Sequence, residues 1–142
     1  MGIILKEKVS SIDYPIVKKD WIEYEINEPE ISSWHNHTAI LTTGKGCFKN
    51  WYIINSHFEI LFRECDNYKA IQRLENGYYA IWGRRAITYP GKDRETEYYP
   101  YIKTFRTPDG TFLDSEQIEQ LKEQGILEVS QKDIANSPSL IE

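Results

Sequence analysis

The sequence predicts an α+β fold: a mostly antiparallel β-sheet with two or three short helices, a single domain over 1–136 and a frayed tail over 137–142. Three observations carry that expectation. Apolar and polar residues alternate with a period of two in several segments, as in half-buried strands. Strong turn signals separate those segments. One stretch near the C-terminus combines a cap, a narrow apolar stripe and a glycine stop, the pattern of a short helix. A chain of 142 residues is one ordinary domain, large enough to bury a core, and no repeat, low-complexity tract or linker divides it.

Ile3, Ile4, Leu5 and Val9 fit either a short strand or one helical turn, and Tyr14-Pro15 then favours extended backbone at Tyr14. From Trp21 to Ile26 the alternation is clear, with Ile22, Tyr24 and Ile26 against Trp21, Glu23 and Glu25. Asn27-Glu28-Pro29-Glu30 closes that strand as a turn. His37–Thr43 is the next strand, Gly44-Lys45-Gly46 the following turn, and Trp51–Ile54 continues in sheet. His57–Arg63 is ambiguous. Phe58, Ile60 and Phe62 alternate as in a strand, whereas Ser56 and Glu59 fit a helix capping box; the balance leans to strand.

Asp66–Glu75 reads as a helix, capped by Asp66 or Asn67 and closed at Gly77. A hairpin at Asn76-Gly77 is the competing reading. Tyr78–Tyr89 is sheet, either one long strand kinked at Gly83 or a hairpin turning at Gly83-Arg84. After a loop over 90–94, Glu95–Arg106 forms a further strand, in which Pro100 requires an edge position or a bulge. Thr107-Pro108-Asp109-Gly110 is a turn, Thr111–Leu113 a short returning strand, and Asp114 or Ser115 caps a helix that runs to Gln124 and stops at Gly125. Ile118 and Leu121 form its apolar stripe. Ile126–Val129 reads as a last strand, followed by one helical turn over Ser130–Ala135.

Composition limits the function classes. No apolar run is long enough for a membrane helix, and the first residues carry neither a secretory core nor a transit pattern. Two cysteines, Cys47 and Cys65, are too few for a disulfide scaffold, and read as reduced thiols of a cytoplasmic protein. The net charge of −5 argues against general coating of nucleic acid. That charge is uneven: Arg84–Arg106 holds six Lys or Arg against three acids, and Asp109–Glu142 holds eight acids against two lysines.

The densest chemistry lies between Tyr78 and Phe105, which holds eight of the 19 aromatic residues, interleaved with cations. Rings and cations in alternation bind phosphates and flat groups. The candidate ligand-binding set is Trp82, Arg84, Arg85, Tyr89, Lys92 and Arg94. A second candidate set is catalytic: His37 or His57 as acid or base, with Glu59 as partner and Arg63 or Arg85 as phosphate clamp. His35 and His37, two apart on a strand, share a face and are a possible zinc pair, but a third ligand is not evident and no metal or other cofactor is expected. Gly44-Lys45-Gly46 lacks the spacing of a phosphate loop.

The expected function is a small cytoplasmic binding module. It holds an anionic ligand, whether a nucleotide, an oligonucleotide or an acidic protein surface, on an aromatic and basic sheet face. The alternatives are a metal-independent phosphodiester or nucleotide hydrolase, and an acidic inhibitor or immunity-like protein acting through its C-terminal face. The expected partners are a small anionic ligand or a protein, not bulk nucleic acid and not a membrane.

Overall fold

The computed structural model describes residues 2–8, 21–45, 48–65, 68–91 and 96–138. Along them run β1 (Gly2–Lys8), β2 (Trp21–Asn27), β3 (Glu30–Ile31), β4 (Thr38–Thr43), β5 (Asn50–Asn55) and β6 (Ile60–Glu64). Then follow β7 (Ala70–Arg73), β8 (Tyr79–Thr88), β9 (Thr96–Arg106), α1 (Ser115–Glu123) and α2 (Gln131–Ala135). The strands form antiparallel sheets in the orders β1-β2, β3-β4-β5-β6 and β7-β8-β9. The antiparallel α+β class read from the sequence is thus observed. The packing falls into two compact units, one of 1–44 with 50–64 and one of 45–49 with 65–142.

In the first unit the period-two alternation sets one face of each strand inward. β1 pairs with β2 so that Ile3 meets Ile26 and Leu5 meets Tyr24. These side chains pack against Ala39, Leu41, Tyr52, Ile54 and Ile60 from β4, β5 and β6. Leu5, Leu41 and Ile54 are fully buried, and each such side chain contributes about 1.5–3 kcal/mol relative to exposure. β1 also meets the start of β6: the Lys6 amide donates to the Phe58 carbonyl at 3.0 Å, and Lys6 bridges Glu59 in parallel. The contested segment after Asn55 is therefore a turn leading into a strand. Its capping-box reading fails because Phe58 takes a positive φ and the Asn55 side chain accepts from the amides of His57 and Glu59.

In the second unit the expected helix over Asp66–Glu75 is replaced by strand β7; Asp66 and Asn67 lie outside the described residues. The competing hairpin at Asn76-Gly77 is the one formed. Gly77 adopts φ 90°, the Leu74 amide donates to the Tyr78 carbonyl, and the Asn76 carboxamide oxygen accepts from the Tyr78 amide. Helix propensity loses here to side-chain pairings made far along the chain. Gln72 is buried, donating to the Asp133 carbonyl at 2.7 Å and accepting from the Trp82 indole at 2.9 Å.

The turn at Gly83-Arg84 does not form either. Strand β8 continues through both residues, so the single long strand is the alternative that forms. β9 is an edge strand with Pro100 in it, as the missing amide requires. Its register shifts by one: Ile81 faces Thr104 and Trp82 faces Ile102, so Lys103 is the extra residue of a bulge. Thr111–Leu113 makes only a bridge from Phe112 to Arg106, and Ile126–Val129 is not a strand. Instead the Asn76 carboxamide donates to the carbonyls of Ile126 and Glu128. Both C-terminal helices appear with capping boxes, Asp114 with Gln117 and Ser130 with Asp133. No helix among the described residues is long and apolar enough to cross a membrane.

Candidate ligand-binding ribbon

Strand β7 ends its pairing where Ala70 faces Trp82, whereas β8 and β9 stay paired out to Thr88 and Thr96. The outer half is therefore a two-stranded ribbon, and burial follows this architecture. Residues Tyr79 to Gly83 are buried, Arg84 is half-buried, and Arg85 to Thr88 are exposed. A two-stranded ribbon is marginal alone and needs side-chain support on at least one face.

That support lies on the face of Arg84. Its guanidinium sits 3.6 Å from the centroid of the Tyr68 ring and 4.0 Å from that of Tyr98. Phe48 meets the Tyr68 ring at a tilt of 48°, with centroids 5.9 Å apart. A cation held between two rings is desolvated on both sides, where cation–π attraction is strongest. On this face Arg84 pins the ribbon to the segment before β7.

Arg85 points to the other face, because successive strand side chains alternate. Directly across from it is Tyr99, and across from Gly83 is Tyr101. The Arg85 guanidinium lies 4.2 Å from the centroid of Tyr101. Hydrogen bonding to the hydroxyl of Tyr101, and then to that of Tyr99, raises its pKa above the ordinary arginine value. Lys103 joins the same face. A Cβ at Gly83 would collide with Lys103 Cδ and Cγ, so the lysine stem occupies the space left by the missing side chain. Glu97 and Ile87 complete this face, and the Tyr89 hydroxyl lies 3.5 Å from Glu97 Oε2. The result is a surface with two cations, three tyrosines and one acid.

The adjacent arginines thus divide their roles: Arg84 is structural and Arg85 faces solvent. Of the other expected contacts, Trp82 is 7% exposed and bonded to Gln72, which places it in the core. Tyr89 is exposed beside the ribbon, and Lys92 and Arg94 lie outside the described residues. Tyr99, Tyr101 and Lys103 were not in the expected set. Their i, i+2, i+4 spacing along a strand was the available signal.

The candidate catalytic residues belong to the first unit, and Arg85 to the second. His35 and His37 do not share a strand face. Asn36 and His37 both take positive φ, and His35 and Thr38 exchange backbone hydrogen bonds, which makes a two-residue hairpin turn. His57 sits in the turn after β5, and Thr38 pairs with Asn55, so both turns lie at the same end of the sheet. Trp34 and Phe58 meet edge-to-face there, 6.3 Å apart. Glu59 accepts from the Asn55 carboxamide at 2.8 Å, and Arg63 pairs with Glu7 at 3.2 Å. All three histidines are exposed. Among the described residues, no three His, Cys, Asp or Glu side chains come together as a metal cage.

Comparison with known proteins is silent. No family model matches the chain, and no curated protein or solved structure is similar to it.

Proposed function

We propose that this chain is a small binding module that holds an anionic partner on the β8–β9 ribbon, through the face bearing Arg85, Tyr99, Tyr101 and Lys103. The observation that carries the reading is the placement of Arg85 and Lys103 on one exposed face, with Tyr99 on β9 directly across from Arg85. Exposed cations backed by a ring face and hydroxyls attract anions without the desolvation cost of a buried site. The face is open, so an extended partner fits it better than a small ligand, which wants an enclosed cavity.

Calorimetric titration with inorganic polyphosphate and with a polyglutamate peptide tests this. Wild-type protein is expected to bind at least one of them, and Arg85→Ala with Lys103→Ala to abolish the heat. Equal heats from the double variant, or none from wild type, would reject the reading.

A further inference from the structure

We infer that the anionic partner is single-stranded nucleic acid, a few nucleotides of which lie along the Arg85 face with one base stacked on Tyr99. This inference rests on the proposed anion-binding role of the ribbon and adds the class of ligand.

Size is the first argument. The face spans Gly83–Thr88 of β8 with Tyr89 just beyond its end, and Glu97–Lys103 of β9, seven residues on each side. At about 3.3 Å per residue and about 4.8 Å between strands, that is roughly 23 Å by 10 Å. Such a strip is well below the roughly 800 Å² per partner of a stable protein interface. It matches the length of a few extended nucleotides.

Ring chemistry is the second argument. An acidic peptide would use Arg85 and Lys103 and leave the rings idle. Unpaired bases use both, since every base offers a π-face to an aromatic side chain and every linkage offers a phosphate to a cation. Tyr101 is covered by the Arg85 guanidinium at 4.2 Å. Tyr99, 38% exposed, and Tyr89, 49% exposed, are the rings left open, and of the two Tyr99 lies directly across from Arg85. Tyr101 is then a positioning residue for Arg85, and Tyr99 the stacking residue.

Charge is the third argument. Two outward cations against the one acid of the face, Glu97, suit a pair of phosphates, whereas a net charge of −5 over the whole chain repels a long polyanion. A short unpaired segment meets both conditions and a duplex meets neither, because its bases are already stacked.

The test is fluorescence anisotropy of labelled oligo-dT across a salt series, with polyglutamate as a second probe. Wild type is expected to bind oligo-dT with a log–log salt slope of about −1.4, the value for two phosphates on a single strand. Tyr99→Ala and Tyr99→Leu are expected to weaken binding by about fivefold or more, and Tyr99→Phe to retain it. Arg85→Ala with Lys103→Ala is expected to flatten the salt slope. Thermal unfolding of each variant separates lost binding from lost fold, and Tyr99→Phe keeps the test alive should Tyr99→Ala not fold. Failure of oligo-dT to bind, while polyglutamate binds through Arg85 and Lys103, would overturn the nucleic-acid inference and leave the anion-binding face standing. Binding of oligo-dT equal in all variants, or binding of neither probe nor of polyphosphate, would overturn both.

Discussion

Trp82 donates its indole N–H to the buried carboxamide oxygen of Gln72, 2.9 Å away, and the same carboxamide donates to the Asp133 carbonyl at the start of α2. One side chain thus ties β7, β8 and the C-terminal helix together, 61 residues apart in sequence. The Asp133 carboxylate extends the tie by accepting from the amides of Glu75 and Ser130. Such a network is costly to leave half-satisfied.

Gln72→Leu is accordingly expected to destabilise the protein by about 1–3 kcal/mol, the cost of an unsatisfied buried indole donor and carbonyl. Chemical denaturation measures it. With Trp82→Phe added, the combined loss should fall short of additive, because the second change removes the orphaned donor.

The arginine pair should separate stability from binding. Arg84→Ala removes a cation from between Tyr68 and Tyr98, and is expected to cost about 1–2 kcal/mol of unfolding free energy. Arg85→Ala is expected to leave the denaturation midpoint nearly unchanged while weakening anion binding. Equal midpoints for the two variants would show that the Tyr68–Arg84–Tyr98 stack does not hold the ribbon.

Gly83 is required by a neighbour rather than by its own backbone angles. Gly83→Ala places a Cβ against Lys103 Cδ and Cγ, so the lysine must swing away. The expected result is a lower melting temperature that Lys103→Ala restores in the double variant. Losses that simply add would remove the close packing from the explanation.

Asp109 sets an acid-side dependence. Its carboxylate accepts from Thr107, and from the side chain and amide of Thr111, and these bonds lower its pKa below the ordinary value. A depressed folded pKa contributes stability above the unfolded pKa, near 3.9, and that contribution is lost as pH falls through the folded value. The melting-temperature gap between wild type and Asp109→Asn should thus be open at neutral pH and close in acid. The gap should be small, since the carboxylate is exposed.

Much of this architecture is legible in the sequence where the cause is local. Alternation marks β2, apolar composition between turn signals marks β4 and β5, and capping residues mark α1 at Asp114 and α2 at Ser130. Pro100 announces an edge strand. The failures have distant causes. Ala70–Arg73 carries helix-forming residues but is held as strand by β8 and by the Gln72 network. Gly83 resembles a turn residue, yet its role is to admit a lysine from the facing strand. His35 and His37 look like a chelating pair until the positive φ angles of Asn36 and His37 fold the chain back between them. The basic and aromatic character of the ribbon could be read in advance; which arginine turns outward could not, because that depends on register.

The most direct test of the outward face is a proton–nitrogen NMR titration with oligo-dT, followed residue by residue. Shifts concentrated at Arg85, Tyr99, Tyr101 and Lys103, with Arg84 and the two turns that carry the histidines unmoved, are the expected result. Shifts centred on His35, His37 and His57, or absent from the outer half of β8 and β9, would contradict it.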